Sequence, residues 1–472
     1  MTAELNIYKN LYKNMIRHYR IFDFIIKYGT LVFVFLIPWQ ARLILVEGSI
    51  NGDYWEYGTQ SLYATEVLLF LILIALIAKG THALKHKKPQ ISVKKLYTPL
   101  GAFAILVVWS GLSIIWSSDS SVSLEHWIVL VEAGVIFLVL GSRAVSFNSL
   151  AWTIIASGFI QAVIGISQSF LQVVPSSTIL GTALQDARDL GVSVVETVEI
   201  RWLRAYGTFP HPNILGAWLV LSLMLLLNES RSLVVALGGE SDQTTRMRFA
   251  IRYLVFGVII FGLLATFSRS AWLAALTGVG IFIAMAIKKK MFRRLAIKMT
   301  AILILVVVLF GYMFPEQLST RVSMQNRLEV RSTQERGASL AQGWEVIKKN
   351  RILGTGIGSY GLSVHRNIDD SKPAYFYQPV HNMFLLIWAE LGIIGLIFVI
   401  VFALFIVNFV YLGTKKKQEI SISLMFLIPF AVLGLFDHYM WSLYSGLMIG
   451  ISYLAVFWLI LSKNNIDSEK GS

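Results

Sequence analysis

Residues 382–411 read NMFLLIWAELGIIGLIFVIVFALFIVNFVY, a run in which Glu390 is the one charged side chain. A helix needs about 20 predominantly apolar residues to cross the roughly 30 Å hydrocarbon core of a bilayer. The run is long enough to do so. It therefore predicts a membrane-spanning helix, and the question is how many such helices the chain contains.

The whole chain has the composition of a polytopic membrane protein. Of its 472 residues, 56% are hydrophobic and 14% are charged, whereas soluble domains average about 45–50% apolar and about 25% charged residues. This composition excludes a soluble single-core enzyme and a disordered chain. The absence of cysteine excludes disulfides, thiolate metal sites and a cysteine nucleophile. Twelve spans are predicted, near residues 24–41, 62–78, 99–116, 125–141, 149–172, 213–228, 251–267, 270–287, 299–314, 382–411, 420–437 and 443–462.

Lysine and arginine are distributed unequally between the two sides of these spans. With the N-terminus inside, the inner segments hold 26 of them and the short outer segments hold 5. The segment 315–381 holds nine more, but loops longer than about 60 residues do not count in the positive-inside rule. The asymmetry predicts that both termini are cytoplasmic and that 315–381 is outside. The net charge of +14 is then a topology signal and predicts no nucleic-acid partner.

Spans seven and eight meet at residues 266–270, TFSRS, without glycine or proline. One continuous helix over both spans would be about 55 Å long. It would exceed the bilayer and would carry the lysines at 288–290 to the outer side. The sequence therefore predicts a tight outward-facing hairpin with Arg269 at its tip.

The long outer segment is predicted to fold as a small helical cap. Leu340, Trp344 and Ile347 lie on one helical face, and the glycine run at 354–358 ends that helix. The predicted fold class is thus all-α, with about twelve membrane helices and a helical extracytoplasmic cap between spans nine and ten. The predicted divisions are residues 1–314 with spans one to nine, 315–381 as the cap, and 382–472 with spans ten to twelve and a cytoplasmic tail.

Polar residues that lie against the spans concentrate on the predicted outer side. Arg204 comes shortly before span six, Arg269 lies at the hairpin, and His381 opens span ten. Glu390 follows nine residues after His381, and Asp437 lies at the outer end of span eleven. Each has an ordinary structural alternative, because an arginine at a helix end often extends to the headgroups and a histidine or carboxylate there often caps a helix.

The combination of these residues points to chemistry on a diphosphate. Arginine suits phosphate because its guanidinium is planar, bidentate and always charged. Two arginines that face a membrane-bound diphosphate would neutralise the charge that grows on the leaving group. Histidine is the side chain suited to act as base toward an acceptor hydroxyl near neutral pH. No set of outer residues has good metal-ligand spacing in the sequence, so no metal and no cofactor is expected.

Four segments resemble, in their order and spacing, the superfamily of O-antigen ligases and O-antigen polymerases. They are RAYGTFPHPN at 204–213, TFSRSAW at 266–272, the stretch from Arg336 to the glycine run, and HNMFLLIWAELG at 381–392. The resemblance covers roughly residues 200–400. It implies that Arg204 and Arg269 bind the diphosphate, that His381 is the base, and that an acidic residue, for which Asp437 is the candidate, assists. Position adds Arg336 as a third candidate ligand of the diphosphate and Glu390 as a second supporting carboxylate.

The resemblance implies inverting, metal-independent transfer of a glycan from undecaprenyl diphosphate to an acceptor sugar hydroxyl on the outer face of the bacterial inner membrane. A ligase uses the lipid A core as acceptor and a polymerase uses another lipid-linked glycan, and the sequence leaves both open. A transporter of lipid-linked saccharides would need polar residues at membrane depth, where these spans have almost none. A purely structural scaffold would give no reason for the cap and its aligned arginines.

Overall fold

The computed structural model describes residues 20–84, 99–142, 144–237, 242–324, 326–413 and 417–469. Helices dominate this part of the chain. They are α1 (20–36), α2 (Ala64–Leu84), α3 (Pro99–Leu112), α4 (Ser120–Gly141), α5 (Phe147–Leu171), α6 (Pro212–Leu237), α7 (Gln243–Ala265), α8 (Arg269–Ile287), α9 (Lys290–Met313), α10 (Pro315–Ser323), α11 (Arg327–Lys349), α12 (Tyr360–Asn367), α13 (Met383–Gly413), α14 (Lys417–Phe436), α15 (Tyr439–Ser442) and α16 (Tyr444–Glu469).

The twelve predicted spans fall on α1 to α9, α13, α14 and α16. Among the described residues, seven helices are long and apolar enough to cross a membrane, namely α4 to α9 and α13. Shorter apolar helical segments lie at 101–116, 420–436 and 444–460. The chain is therefore an integral membrane protein, and the number of twelve crossings stays a prediction.

Helix α6 forms the centre of the bundle. Its side chains from Ile214 to Leu227 are almost completely buried, and it packs against α5, α7 and α8. Proline at its first position suits a helix start, because the missing N–H would have had no helical acceptor. The helix begins at residue 212, so the polar segment that precedes it is held directly above the packed core of the bundle.

The predicted hairpin between spans seven and eight is confirmed. Helix α7 ends at Ala265 and α8 begins at Arg269. The turn needs a positive φ of 48° at Phe267, which is uncommon for a residue other than glycine. The Phe267 ring is 1% exposed and packs against Phe310 and Phe314 at centroid distances of 5.4 and 6.5 Å. Burial of this ring offsets the strained backbone and fixes the position of Arg269.

Helix α13 is broken at Gly392, which has φ 68° and ψ −175°. The glycine-rich loop after α11 fills the break, since Gly356 N–H donates to the Glu390 carbonyl and Ile393 N–H donates to the Arg351 carbonyl. A Cβ at Gly392 would lie 1.9 Å from the carbonyl oxygen of Ile352, so no larger residue fits without a shift of the loop. The sequence predicted one uninterrupted span here, and hydropathy does not reveal the break because the residues around it are apolar except Glu390.

The all-α prediction is wrong for the loops between helices. Among the described residues, short strands form four two-stranded antiparallel sheets. Backbone groups that leave helix ends need partners, and local hairpins supply them. The strands are β1 (Arg42–Val46), β2 (Ser49–Ile50), β3 (Asp53–Tyr54), β4 (Gln60–Tyr63), β5 (Val173–Val174), β6 (Gln185–Asp186), β7 (Val194–Glu196) and β8 (Arg201–Leu203).

A second, smaller core joins the first of these hairpins to the segment 315–381. Trp55 is buried beside Ile347 and Tyr360, and its indole N–H donates to the carbonyl of Tyr377 at 2.9 Å. The predicted apolar face of α11 is buried only in part, because Ile347 is 2% exposed and Trp344 is 45% exposed. The ring of Trp344 packs edge to face against Trp388 at a centroid distance of 5.5 Å.

Candidate active site

The start of α13 is tied to the end of α14. Asn382 caps α13 by accepting two first-turn N–H groups, and its amide donates to the carbonyl of Leu435. Met383 N–H donates to the carbonyl of Asp437 at 3.1 Å. These bonds bring two distant parts of the sequence together, and Nδ1 of His381 lies 3.5 Å from Oδ1 of Asp437.

The Asp437 carboxylate is buried and surrounded by donors. It accepts the side-chain amide of Asn213 at 2.8 Å and the backbone N–H of His438 at 2.9 Å. Burial acts to raise the pKa of Asp437, but the imidazoles of His381 and His438 outweigh burial and hold the pKa well below its usual range. The group is therefore an anion at neutral pH, suited to orient His381 and to stabilise a positive charge on it.

Two further histidines lie close to this pair. His438 is 4% exposed, and its ring centroid lies 5.2 Å from that of His381. Burial lowers the pKa of His438 to about 4 and the pKa of His211 to about 3. Both are neutral near pH 7. Nδ1 of His438 pairs with the Ser442 hydroxyl at 2.6 Å, so His438 is held in place as part of the wall of the site.

Arg204 follows strand β8 and is 8% exposed. Its Nε donates to the carbonyl of Thr266 at 2.7 Å, and its Nη2 donates to Oδ1 of Asn213 at 2.7 Å. Burial and the nearby Arg321 lower its pKa well below the ordinary value. Since a guanidinium stays protonated in proteins, this direction means that Arg204 is a poorly compensated buried cation, and an anion beside it would be stabilised.

The loop that carries Arg204 is fixed by two glutamines of α5. Gln168 donates to the carbonyl of Gly207 and Gln161 accepts the N–H of Thr208, at 2.7 and 2.8 Å. Gly207 has φ 60°, and a Cβ there would lie 2.5 Å from Oε1 of Gln161. Glycine is thus needed in the GTF segment so that the loop can turn against α5. The hydrogen bonds of the two glutamines thus hold the loop, and Arg204 with it, in place in the absence of a ligand.

Arg269 belongs to a cluster of four arginines around one glutamate. Its Nη1 lies 3.1 Å from Glu329, which also pairs with Arg321 at 2.5 Å. Burial lowers the pKa of Arg321 to about 10, although Glu329 acts in the opposite direction. Arg336 is close enough to lower the pKa values of both Arg204 and Arg321. Four guanidinium groups against one carboxylate leave an excess of positive charge at this place.

Arg321 and Glu329 were not among the residues proposed from the sequence. Arg321 lies on α10, and Glu329 is a 3% exposed carboxylate on α11. A charged residue this deeply buried is uncommon unless it is paired. The sequence contains many similar charges between 315 and 350, and no local pattern distinguishes these two from the exposed ones.

Two hydrogen bonds and one ion-pair contact connect Arg204 of the arginine cluster to the histidine. Arg204 donates to Asn213, Asn213 donates to Asp437, and Asp437 lies beside His381. A cavity of about 390 Å³ opens on the acidic end of this chain. Its lining includes His211, Asn213, His381, Asp437 and His438. Arg204 and Arg269 are both described by the structure, and neither lines this cavity; Arg204 is one hydrogen bond away from it through Asn213.

Glu390 does not join the site. It is 2% exposed and accepts the indole N–H of Trp441 at 2.7 Å. Its backbone carbonyl accepts the N–H of Gly356. Glu390 therefore braces the loop that fills the break in α13 against α15, and the prediction of a supporting role in the site has no geometric basis here.

The sequence showed no metal-ligand spacing on the outer side, and in space one such group exists among the residues that the structure describes. Ligand atoms of His381, Asp437 and His438 lie within 4.8 Å of one another. His381 lies 56 positions before the adjacent Asp437 and His438, a separation that no spacing rule detects. The trio could hold a divalent ion in its geometry. Asp437, however, already accepts two short hydrogen bonds, and His438 already pairs with Ser442.

A family of known proteins matches part of this sequence. The sequence model of the O-Antigen ligase family matches residues 254–400. This range holds the turn before Arg269, the helices α10 to α12 and His381, whereas Arg204 and Asp437 lie outside it. No curated protein matches the chain significantly. The resemblance noted in the sequence is confirmed over these residues, and the match supports membership of the superfamily of O-antigen ligases and polymerases, whose members are membrane glycosyltransferases that act on a lipid-linked glycan and an acceptor.

Proposed function

We propose that this protein transfers a glycan from undecaprenyl diphosphate to a sugar hydroxyl of an acceptor, at the outer face of the bacterial inner membrane, with inversion and without a metal. The acceptor in this proposal is a lipid A core, as for a ligase. A polymerase that extends a second lipid-linked glycan is the alternative. The divisions 1–314, 315–381 and 382–472 then correspond to a first membrane part, an outer cap and a second membrane part.

The proposed step is a single displacement. His381 removes the proton of the acceptor hydroxyl, and the freed oxygen attacks the anomeric carbon. The bond between that carbon and the diphosphate oxygen breaks on the opposite face, and undecaprenyl diphosphate leaves with the electron pair. Asp437 stabilises the imidazolium that forms, and Arg204, Arg269, Arg321 and Arg336 stabilise the diphosphate. A diphosphate is a good leaving group, so the step needs no general acid.

The observation that carries this proposal is the series of contacts from Arg204 to His381: Arg204 and Asn213 are hydrogen-bonded, Asn213 and Asp437 are hydrogen-bonded, and Nδ1 of His381 lies 3.5 Å from Asp437. It supports a site in which Arg204, which would bind the diphosphate, and His381, which would accept the proton, are positioned by the same set of contacts. In Glu329 the cluster has a carboxylate that pairs with Arg269 and Arg321. If a diphosphate replaced Glu329 as the partner of these arginines, their positive charges would stay paired with an anion.

The sugar products of a deletion strain test the function and separate its two forms. If the protein is a ligase, the strain accumulates full-length glycan on undecaprenyl diphosphate and its final acceptor lacks the polymer. If it is a polymerase, single repeat units accumulate and the long chains disappear. Unchanged glycans on both the lipid carrier and the final acceptor would contradict the proposal.

We expect a cysteine at Ser339 to react with a membrane-impermeant maleimide in intact spheroplasts, because the charge asymmetry of 26 to 5 orients 315–381 outward. The chain has no cysteine of its own, so each label reports one site. Lys290→Cys is the matched control and should react only after the membrane is opened. Labelling of the two positions in the reverse order would overturn the topology and the mechanism built on it.

We expect transfer by purified enzyme to survive dialysis against EDTA with less than about a twofold loss, because the arginines supply the charge that a metal would otherwise supply. The assay uses donor and acceptor in metal-free buffer, with and without added Mg²⁺. A dependence on divalent ions that is restored by readdition, and that disappears when Asp437 is replaced, would instead assign a catalytic ion to His381, Asp437 and His438.

A further inference from the structure

The cavity beside His381 has a second group of lining residues that the proposed reaction has not used. It is formed by the hairpin of β1 and β4 and by the start of α16, and it includes Arg42, Glu56, Tyr57, Tyr63 and Tyr444. All of these lie outside the range 254–400 matched by the family model. The cavity that contains the reacting histidine is thus built partly by residues outside the matched range.

This group of residues offers no free positive charge, which is unusual for a site that binds a negatively charged substrate. Arg42 is bound by Glu56 in a two-pronged ion pair, at 2.7 and 2.9 Å. Among the residues that line the cavity, Arg42 is the one lysine or arginine. Its charge is already neutralised, and Asp437 adds a negative charge nearby. An anionic sugar would meet no free cation here, whereas the carboxylate oxygens of Glu56 can accept hydrogen bonds from neutral hydroxyls.

The remaining side chains suit a sugar ring. Tyr63 and Tyr444 are stacked, with ring centroids 4.2 Å apart and planes at 11°. A tyrosine ring has a flat apolar face that matches the C–H face of a pyranose, but the faces of this pair are covered by their own stacking and by the Arg42 guanidinium 5.9 Å from the Tyr63 centroid. Tyr63 and Tyr444 therefore contribute their ring edges to the lining of the cavity. Burial and the nearby Asp437 raise the pKa of Tyr57, so its phenol stays protonated and able to donate a hydrogen bond. The volume of about 390 Å³ falls in the range of small-ligand pockets.

Tyr57 in this group lies close to His381, the proposed base. The ring of Tyr57 lies 5.7 Å from the ring of His438, edge to face. The ring of His438 lies 5.2 Å from that of His381. A sugar that rests on Tyr57 therefore lies within one side chain of His381, and a hydroxyl of that sugar can reach the imidazole.

We propose that Glu56, Tyr57 and the paired Arg42 form the acceptor subsite, and that this subsite selects a neutral terminal sugar over a phosphorylated or acidic one. The proposal rests on the proposed function, because it names the acceptor for that reaction. It assigns donor binding to the arginine cluster and acceptor selection to the N-terminal hairpin. The two substrates would then be sorted by charge.

The test measures sugar binding without any transfer. Saturation-transfer NMR on the full-length protein in nanodiscs compares methyl α-D-glucopyranoside with D-glucose 6-phosphate as probes. We expect the wild type to bind the neutral glycoside more tightly. Tyr57→Ala should weaken that binding about tenfold or more, with Tyr57→Phe as the milder variant if the alanine protein does not fold.

Glu56→Gln provides the sharper readout, because it frees the charge of Arg42 while retaining a hydrogen-bond acceptor. We expect the preference to shift toward glucose 6-phosphate by about tenfold, the size of one charge-assisted contact. A purely structural ion pair would lower both affinities together and leave their ratio unchanged. Tyr54→Phe is the matched control, since Tyr54 also contacts Glu56 but does not line the cavity.

Three results would overturn the subsite: no binding of either probe, a wild-type preference for the phosphate, or a ratio that Glu56→Gln does not change. The binding readout is independent of the proposed reaction. If the wild type binds the neutral glycoside as expected but transfers no glycan in the reconstituted assay, the proposed function fails and the sugar site remains. If it transfers glycan but the acceptor KM is unaffected by Tyr57→Phe and Glu56→Gln, the subsite fails and the function remains.

Discussion

Replacement of His381 by alanine is expected to lower the rate of glycan transfer by about 10²–10⁴-fold, the usual contribution of general base catalysis. The loss should appear in kcat. Donor binding should change little, because the arginine cluster does not contact the imidazole. The measurement is a reconstituted transfer assay with purified lipid-linked donor, in which kcat and the KM for the donor are determined separately.

Asp437→Asn refines this result. Asp437 is a positioning residue in our account, and its anion stabilises the protonated form of His381. We expect kcat to fall by less than in His381→Ala, with the KM for the donor unchanged, and the double variant should be no worse than His381→Ala alone. His365→Ala is the matched control in the same outer segment and should stay within about twofold of the wild type. If the transfer rate of His381→Ala stays within a few-fold of the wild-type rate, this histidine has only a structural role at the start of α13.

Replacement of Arg269 by alanine is expected to lower transfer by about ten- to a hundredfold, because a charge-assisted contact contributes roughly 1.5–3 kcal/mol. Unlike His381→Ala, the variant should weaken binding of the donor as well as its reaction. Arg269 is the better test position in the cluster, since its side chain is 26% exposed and the buried Glu329 keeps its ion pair with Arg321 when Arg269 is removed. Arg269→Lys should not restore full activity, because the bidentate fork is lost.

Arg204→Lys is expected to show a similar loss with a larger cost in stability, since Arg204 is buried and donates to Thr266 and Asn213. Thermal unfolding measured beside activity separates the two effects. Arg327→Ala is the matched control, because Arg327 pairs with Glu196 at the surface and is 74% exposed. Full activity of Arg269→Ala, or equal losses in Arg269→Ala and Arg327→Ala, would remove the arginine cluster from the mechanism.

The sequence predicts the helices of this protein well because the signal is local. A run of apolar residues has one stable solution in a bilayer, a helix that satisfies its own backbone. The turn at 266–268 could be predicted for the same kind of reason, since one helix over both spans would be too long for the membrane. The break at Gly392 could not be predicted, because it depends on a loop from elsewhere in the chain whose backbone replaces the missing helical bonds.

The members of the candidate site were only partly predictable. Residues such as Arg204, Arg269 and His381 follow or precede spans on one side, and hydropathy together with charge counting brings them to one surface. Glu329 and Arg321 depend on how α10 and α11 fold over that surface, which no local pattern reveals. Glu390 was proposed as a member because it is a carboxylate near a helix end, and in the structure its partners belong to the loop beneath it.

The acceptor side was missed altogether. The hairpin at 42–63 is short and polar in places, and its sequence resembles an ordinary loop between two spans. Its importance arises from Trp55, which packs into the second core and holds Glu56 and Tyr57 at the rim of the cavity. The contact spans more than 300 residues of sequence. Tertiary contacts between such distant residues cannot be predicted from the periodicity of a single sequence.

The anomeric configuration of the new glycosidic bond tests the central claim most directly. A donor with a defined α-linked diphosphate is given to purified enzyme with an acceptor, and the linkage in the product is assigned by NMR from the coupling at the anomeric proton. A single displacement assisted by His381 predicts a β-linked product, formed without a covalent glycosyl-enzyme. An α-linked product, or a glycan trapped on a side chain of the protein, would contradict the account.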